Sequence, residues 1–188
     1  MSMKKVLLVA ATMAVPTVAL AHPGHDGGLV GGLLHPLTGW DHLLAMLAIG
    51  MLAVQMKGRS QWALPLAFIT ALVAGGMLGL MGMGLGPVEL IIAASLVVLG
   101  SLLVSQKRLP LQVGVVLAVF FGLYHGVAHG LEAGTAPGAF MLGMLLASAM
   151  LHGAGILMMR LGQQVWAGHL ARIAGAGMAV AGGALLLG

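Results

Sequence analysis

Cysteine is absent from the 188-residue chain. Its absence excludes disulfide bonds and thiolate metal sites, so a bound metal ion would be held by imidazole, carboxylate, backbone or thioether groups. Charged residues are also scarce: they make up 6% of the chain, whereas 60% of its residues are hydrophobic. Because soluble domains carry roughly a quarter charged residues, this composition excludes an ordinary soluble domain and indicates a protein embedded in lipid.

Basic residues are too few and too scattered to form a binding face. Eight Lys and Arg residues against four acids give a formal net charge of +4. They stand in pairs between apolar stretches, whereas a nucleic-acid-binding surface needs them clustered on one face. We therefore expect no nucleic-acid partner and interpret the basic residues as markers of membrane topology.

Residues 1–21 have the pattern of a secretory signal peptide. Lys4 and Lys5 precede a short apolar core at residues 6–15, and Ala19-Leu20-Ala21 offers a small-x-small cleavage site before His22. The core is short for a full membrane span, although an uncleaved anchor is the alternative. Cleavage would leave residues 22–33 as a periplasmic, His-containing N-terminal segment.

Six hydrophobic stretches follow, and their lengths are typical of membrane-spanning helices. We therefore predict an all-α, polytopic bundle of six transmembrane helices within residues 34–188: 34–56, 62–83, 88–105, 111–132, 138–159 and 169–187. After the predicted signal peptide, the six basic residues fall only near alternate loops, namely Lys57, Arg59, Lys107, Arg108, Arg160 and Arg172. The positive-inside rule places these loops in the cytoplasm and both mature termini in the periplasm, as in a multi-pass protein of the bacterial inner membrane.

The first predicted helix carries a polar cluster, His35-Pro36-Leu37-Thr38-Gly39-Trp40-Asp41-His42. If this segment is helical throughout, with Pro36 near its start, His35 and His42 share one face because they are seven residues apart. Ionisable residues inside the membrane are costly and usually line a pathway. The alternative is that Asp41 or Thr38 caps the helix while the histidines lie among lipid headgroups.

The fourth predicted helix carries a second cluster, His125, His129 and Glu132, spaced i, i+4 and i+7 along one stripe. Two imidazoles one turn apart can bind a single borderline metal ion, and a carboxylate nearby neutralises its charge. A parallel stripe of glycines, Gly122, Gly126, Gly130 and Gly134, favours close approach of another helix. The second cluster is therefore expected to face protein.

The two clusters are expected to meet, because the first helix enters the membrane where the fourth leaves it. His152 would lie deeper, about 20 Å from the outer boundary, either as a second metal station or bonded to a backbone carbonyl. His22 and His25 would collect the ion outside, unless they belong to an unstructured tail.

These motifs resemble the HupE/UreJ family of bacterial membrane proteins, which is associated with hydrogenase and urease gene clusters. The resemblance covers essentially the whole chain and is carried by His35-Pro36-x-x-Gly39-x-Asp41-His42 and His125-x-x-Ala128-His129-Gly130-x-Glu132. It implies a secondary nickel or cobalt permease. The first motif is also similar to the His-x4-Asp-His signature of larger nickel/cobalt permeases. The spacing here is five, so that family's ligand assignment is not carried over.

The sequence therefore predicts a permease that moves nickel, or cobalt, from periplasm to cytoplasm. It is expected to be no enzyme and to hold no permanent cofactor, since the ion is its cargo. The predicted metal-binding residues are His22, His25, His35, Asp41, His42, His125, His129, Glu132 and His152. Two alternatives stay open: a membrane metalloenzyme, or an accessory protein that senses metal or delivers it to hydrogenase or urease maturation. The oligomeric state is also open.

Overall fold

The computed structural model describes residues 27–56, 58–162 and 167–188, and every long element among them is an α-helix. Five of these helices are long and apolar enough to cross a membrane, or six if a bent pair counts as one span. The prediction of an all-α, multi-pass membrane protein is confirmed. The predicted signal peptide, 1–21, lies outside the described residues. The helices are α1 (Leu29–Thr38), α2 (Trp40–Ala53), α3 (Ala63–Leu80), α4 (Val88–Ser105), α5 (Leu111–Leu131), α6 (Pro137–Gly162) and α7 (Ala167–Leu187), with a short 3-10 helix, Gly58–Trp62, before α3.

The predicted span over 34–56 is not one continuous helix in the structure. The chain forms α1 and α2, which meet at 85°. Pro36 lies inside α1 instead of opening a helix, and the break comes at Gly39, whose backbone is extended. The Thr38 hydroxyl donates to the His35 carbonyl at 2.8 Å, a local bond that competes with helix continuation. A side chain at Gly39 would also crowd the His42 ring, so this turn favours glycine.

The second helix, α2, forms the centre of the bundle. Nearly every residue from Ala45 to Ala53 is buried, as expected of a helix that is apolar on all sides. The long helix α6 packs against both α1 and α2. Gly32 of α1 lies against the Phe140 backbone, and Gly50 of α2 lies against the His152 backbone. These contacts hold the broken pair along one side of α6.

Glycines join α3 to α5 at very short range. A Cβ atom added at Gly122, Gly126 or Gly130 would lie within 2.6 Å of an α3 backbone oxygen. The prediction that this stripe faces protein is confirmed for these three residues. Gly134 instead takes a positive φ of 61° in the turn after α5. The contacts advance together along both chains, so α3 and α5 run in the same direction.

The loops that carry the basic residues lie at one end of the molecule. Arg160 at the end of α6 donates to Gln61 of the 3-10 helix at 2.7 Å. Gln106, after α4, lies 3.9 Å from the Cβ position of Gly168 in α7. The turn after α5 lies at the opposite end, where Gly27 approaches Ala133. This second end is called the outer end below.

Candidate metal site

The two predicted clusters meet at the outer end of the bundle. His35 reaches across from α1, and its Nε2 lies 2.9 Å from Oε2 of Glu132, just after α5. The same carboxylate oxygen lies 3.8 Å from Nδ1 of His129. One ligand atom from each of these residues lies within 4.8 Å of the other two. This trio, His35, His129 and Glu132, is called the outer triad.

The end of α5 determines how exposed each α5-derived member of the outer triad is. Glu132 is the last residue to donate its backbone N–H into α5, to the Ala128 carbonyl, and its side chain is 49% exposed. His129, one turn earlier, is fully buried. Burial raises the pKa of the Glu132 carboxyl, but its interactions with the His129 and His35 imidazoles outweigh this effect and lower that pKa to about 2. The carboxylate is therefore ionised at neutral pH and able to bind a cation.

Two further imidazoles extend the outer triad inward. The His42 ring lies 4.3 Å from the His129 ring and 5.1 Å from the His125 ring, measured between centroids. His42 is only 7% exposed, and His125 is fully buried. His42 belongs to α2, whereas His125 and His129 belong to α5. The break at Gly39 places His42 and His35 on different helices, but the His42 ring still lies beside the outer triad. The His35 and His42 ring centroids are 6.3 Å apart.

Several buried imidazole nitrogens have no hydrogen-bond partner among the described residues. They are Nδ1 of His42, Nε2 of His125, and both ring nitrogens of His129 and His152. Buried polar atoms are nearly always bonded, and leaving one unpaired costs about 1–3 kcal/mol. A run of such nitrogens is therefore expected to have a partner other than these side chains, such as water, a proton or a metal ion.

His125 is oriented by its other nitrogen. Its Nδ1 lies 2.9 Å from the Phe121 carbonyl oxygen and donates to it. This bond fixes the tautomer in which Nε2 carries the lone pair. Metal-binding histidines are commonly held by this kind of second bond.

Asp41 lies apart from the outer triad. Its carboxylate accepts the backbone N–H of the adjacent His42 at 2.8 Å, within the first turn of α2. The N-cap residue of α2 is Gly39, which has no side-chain capping bond, so Asp41 does not cap this helix as the alternative supposed. It nevertheless remains within electrostatic range of His129. A direct role for Asp41 as a metal ligand stays a prediction.

Two residues outside the predicted ligand set border the site. Glu89 opens α4 within electrostatic range of Glu132 and Asp41, which places three acids near the outer end. Phe68 of α3 is fully buried, with its ring centroid 5.4 Å from that of His125. No sequence signal distinguishes this phenylalanine from other apolar residues of its helix.

Of the remaining predicted ligands, the structure describes His152 but not His22 or His25. His152 is 2% exposed, and the expected alternative bond to a backbone carbonyl is not formed within the described structure. His22 and His25 lie outside the described residues, so their role stays a prediction.

Comparisons with known proteins agree with the resemblance carried by these motifs. The profile of the HupE / UreJ protein family matches residues 9–185. The Protein HupE of Rhizobium leguminosarum bv. viciae is 38% identical over 194 aligned positions that cover all of both chains. No solved structure gives a significant match. The family match spans nearly the whole chain and is accompanied by a full-length relative, and the chain therefore belongs to the HupE/UreJ family.

Proposed function

We propose that the protein is a secondary permease that moves nickel, or cobalt, from the periplasm into the cytoplasm. The observation that carries this proposal is the outer triad, in which two imidazoles and a carboxylate converge at the outer end of a membrane bundle. Membership of a family linked to nickel and cobalt uptake for hydrogenase and urease supports it. The proposal places the protein in the inner membrane with its mature N-terminus periplasmic.

Capture begins at the outer end. Three acids there, Asp41, Glu89 and Glu132, attract cations to a protein whose net charge is otherwise positive. The ion loses part of its water shell as it binds the outer triad, where Glu132 supplies negative charge. His129 and His35 supply the imidazole nitrogens.

Inward transfer follows the buried imidazoles. His42 adjoins His129, and His125 adjoins His42, so each ring lies near the next. The ion exchanges one imidazole for the next without passing through bare hydrocarbon, which would be prohibitively costly for a divalent charge. The sequence carries no nucleotide-binding motif, so transport runs down a gradient or is coupled to an ion gradient.

The ligand chemistry favours nickel over several competitors. Imidazole and carboxylate ligands without thiolate suit divalent nickel, cobalt and zinc, whereas copper(I) prefers softer sulfur. For one ligand set, affinity generally rises from cobalt to nickel. We therefore expect nickel to bind more tightly than cobalt, with zinc as a competitor.

The decisive experiment is uptake of radioactive Ni2+ into proteoliposomes, with Co2+ and Zn2+ as competitors. His129→Ala is expected to lower uptake at least tenfold, in line with the roughly 10–100-fold losses seen even for residues that only support metal ligands. His169→Ala is the control, since this histidine begins α7 at the end remote from the outer triad. If the His129→Ala variant took up as much Ni2+ as the wild-type protein, the proposed role of the outer triad in transport would be contradicted.

The same assay separates the alternatives. A metal-delivery protein would bind Ni2+ stoichiometrically in detergent but would not fill the vesicles. A di-iron enzyme is disfavoured, because the outer triad has one carboxylate whereas such sites use several from facing helices. Iron retained through purification, with an oxygen-dependent activity, would reinstate the enzyme hypothesis.

A further inference from the structure

We propose that His152 forms a second, inner metal station, which receives the ion from His125 beside the ring of Phe68. This inference rests on the proposed function and extends it past the outer triad toward the cytoplasm. The inner station would take a divalent ion of the nickel and cobalt class, since its donors are imidazole nitrogens.

The depth of His152 suits an intermediate stop. It lies fifteen residues after Pro137, the first residue of α6, which is about 22 Å along a helix axis. A bilayer core is about 30 Å thick, so the imidazole lies well inside the membrane. The close approach of Gly50 to the His152 carbonyl fixes α2 and α6 at this level.

The hydrogen bonding of His152 differs from that of its neighbours. His125 bonds the carbonyl four residues earlier through Nδ1, and Ser148 does the same through its hydroxyl at 2.7 Å. His152 also lies within a helix and could bond the carbonyl four residues earlier in the same way. Both of its ring nitrogens nevertheless lack a partner in the described part of the chain. It is nonetheless 2% exposed. Because neither nitrogen is committed to a hydrogen bond there, either one can carry the lone pair that binds a metal ion.

A continuous line of rings leads to His152. Beyond His42 and His125, the Phe68 ring contacts His125 and also contacts His152, at a centroid distance of 5.2 Å. Nε2 of His125 is unpaired as well, so His125 and His152 each offer an imidazole nitrogen, and both rings contact the same apolar ring of Phe68. An ion released by His125 would therefore reach His152 along the Phe68 ring.

Substitution by cysteine offers a direct test, because the native chain contains none. Full-length His152→Cys in lipid nanodiscs is titrated with Co2+, which displaces the thiol proton on binding and gives an intense near-ultraviolet sulfur-to-cobalt absorption. Gly153→Cys is the matched control. It lies at the same depth, but its Cβ would meet no atom within 4 Å, so its thiol faces away from the path.

We expect the sulfur-to-cobalt band in His152→Cys and not in Gly153→Cys. The inference is overturned if His152→Cys gives no such band while Co2+ still binds the outer triad, seen as visible absorption that disappears on adding His129→Ala. If the cysteine variant does not fold, His152→Gln decides. Its Ni2+ uptake should fall at least tenfold, and uptake equal to that of wild type overturns the inference.

The two proposals fail in different ways. Normal uptake by His129→Ala would contradict the proposed permease pathway. Loss of uptake by His129→Ala, with no arrival of Co2+ at residue 152, would contradict only the inner station.

Discussion

The imidazoles of His125 and His129 are one turn apart, yet they are held very differently. His125 is fixed by the Phe121 carbonyl and presents Nε2, whereas neither nitrogen of His129 is hydrogen-bonded among the described residues. A fixed ring offers a ligand in one direction, while a ring without such a bond can turn toward an ion between Glu132 and His42. Under the proposed function, His129 would receive the ion beside Glu132, and His125 would receive it further inside the bundle.

At this scale the charge of Glu132 is the feature to test. Glu132→Gln keeps the shape of the side chain and a hydrogen bond to His35 but removes the negative charge. We expect Ni2+ affinity, measured by calorimetry in nanodiscs, to fall at least tenfold, the lower end of the roughly 10–100-fold range seen for residues that support metal ligands. The unfolding temperature should stay unchanged, because the side chain is half exposed.

Glu132→Asp is the companion variant, since it keeps the charge on a shorter arm and should retain most of the affinity. Equal affinity of the Glu132→Gln variant and the wild-type protein for Ni2+ would show that the carboxylate is not a ligand.

The spacing of His125, His129 and Glu132 predicted one stripe, and these residues do lie along the outer end of α5. The meeting of His35 with Glu132 was also expected, but for a different geometric reason. A shared helical face was predicted for His35 and His42, whereas the chain turns by 85° between them. Contacts such as that of Phe68 with His125 depend on how α3 packs, which no residue spacing encodes.

The broken first span shows what a hydropathy pattern leaves out at the scale of elements. Apolar residues continue through 29–53, and the sequence predicted one span over 34–56 with Pro36 near its start. The actual break depends on Gly39, and on the packing of α1 against α6 through Gly32. The helices without such a break, for example Val88–Ser105, lie where the sequence predicted them.

Packing of α3 against α5 provides the test at this scale. Gly126→Ala would place a methyl group 2.2 Å from the Leu72 carbonyl oxygen, so the two backbones must separate. Overpacking of this kind costs about 1–3 kcal/mol, which corresponds to a fall of roughly 5 °C in unfolding temperature for a chain of this size. Differential scanning fluorimetry in detergent measures it, and we expect Ni2+ uptake to fall as well.

Gly177→Ala is the matched control, since this α7 glycine has no atom within 4 Å of its Cβ position. Its unfolding temperature should not fall, because alanine is the better helix former. Equal losses in both variants would mean that helix contact is not what selects glycine at residue 126.

Across the whole molecule, the loops near the basic residues lie at one end of the bundle, as the predicted helix directions require. Arg160 bonds Gln61, and Gln106 approaches Gly168, so the loops near the basic residues share one end. The outer triad lies at the other end, which the positive-inside rule predicts to be the periplasmic side. If this orientation holds, the outer triad would open to the periplasm with the buried imidazoles leading inward, as the proposed import requires.

Single cysteines test this orientation without removing any native thiol. Gly84→Cys, in the open loop after α3, should react with a membrane-impermeant maleimide in cells whose outer membrane is permeabilised. Ser60→Cys, in the 3-10 helix at the opposite end, should react only after the inner membrane is opened. The reverse labelling pattern would show that the protein has the opposite orientation, with the outer triad facing the cytoplasm.

X-ray absorption at the nickel edge of the Ni2+-loaded protein in nanodiscs tests the central claim, that imidazoles and a carboxylate hold the metal ion. We predict nitrogen and oxygen ligands only, with the multiple-scattering pattern of at least two imidazoles, and loss of one imidazole in His129→Ala. A sulfur ligand from methionine, or a shell of water alone that His129→Ala leaves unchanged, would contradict the account.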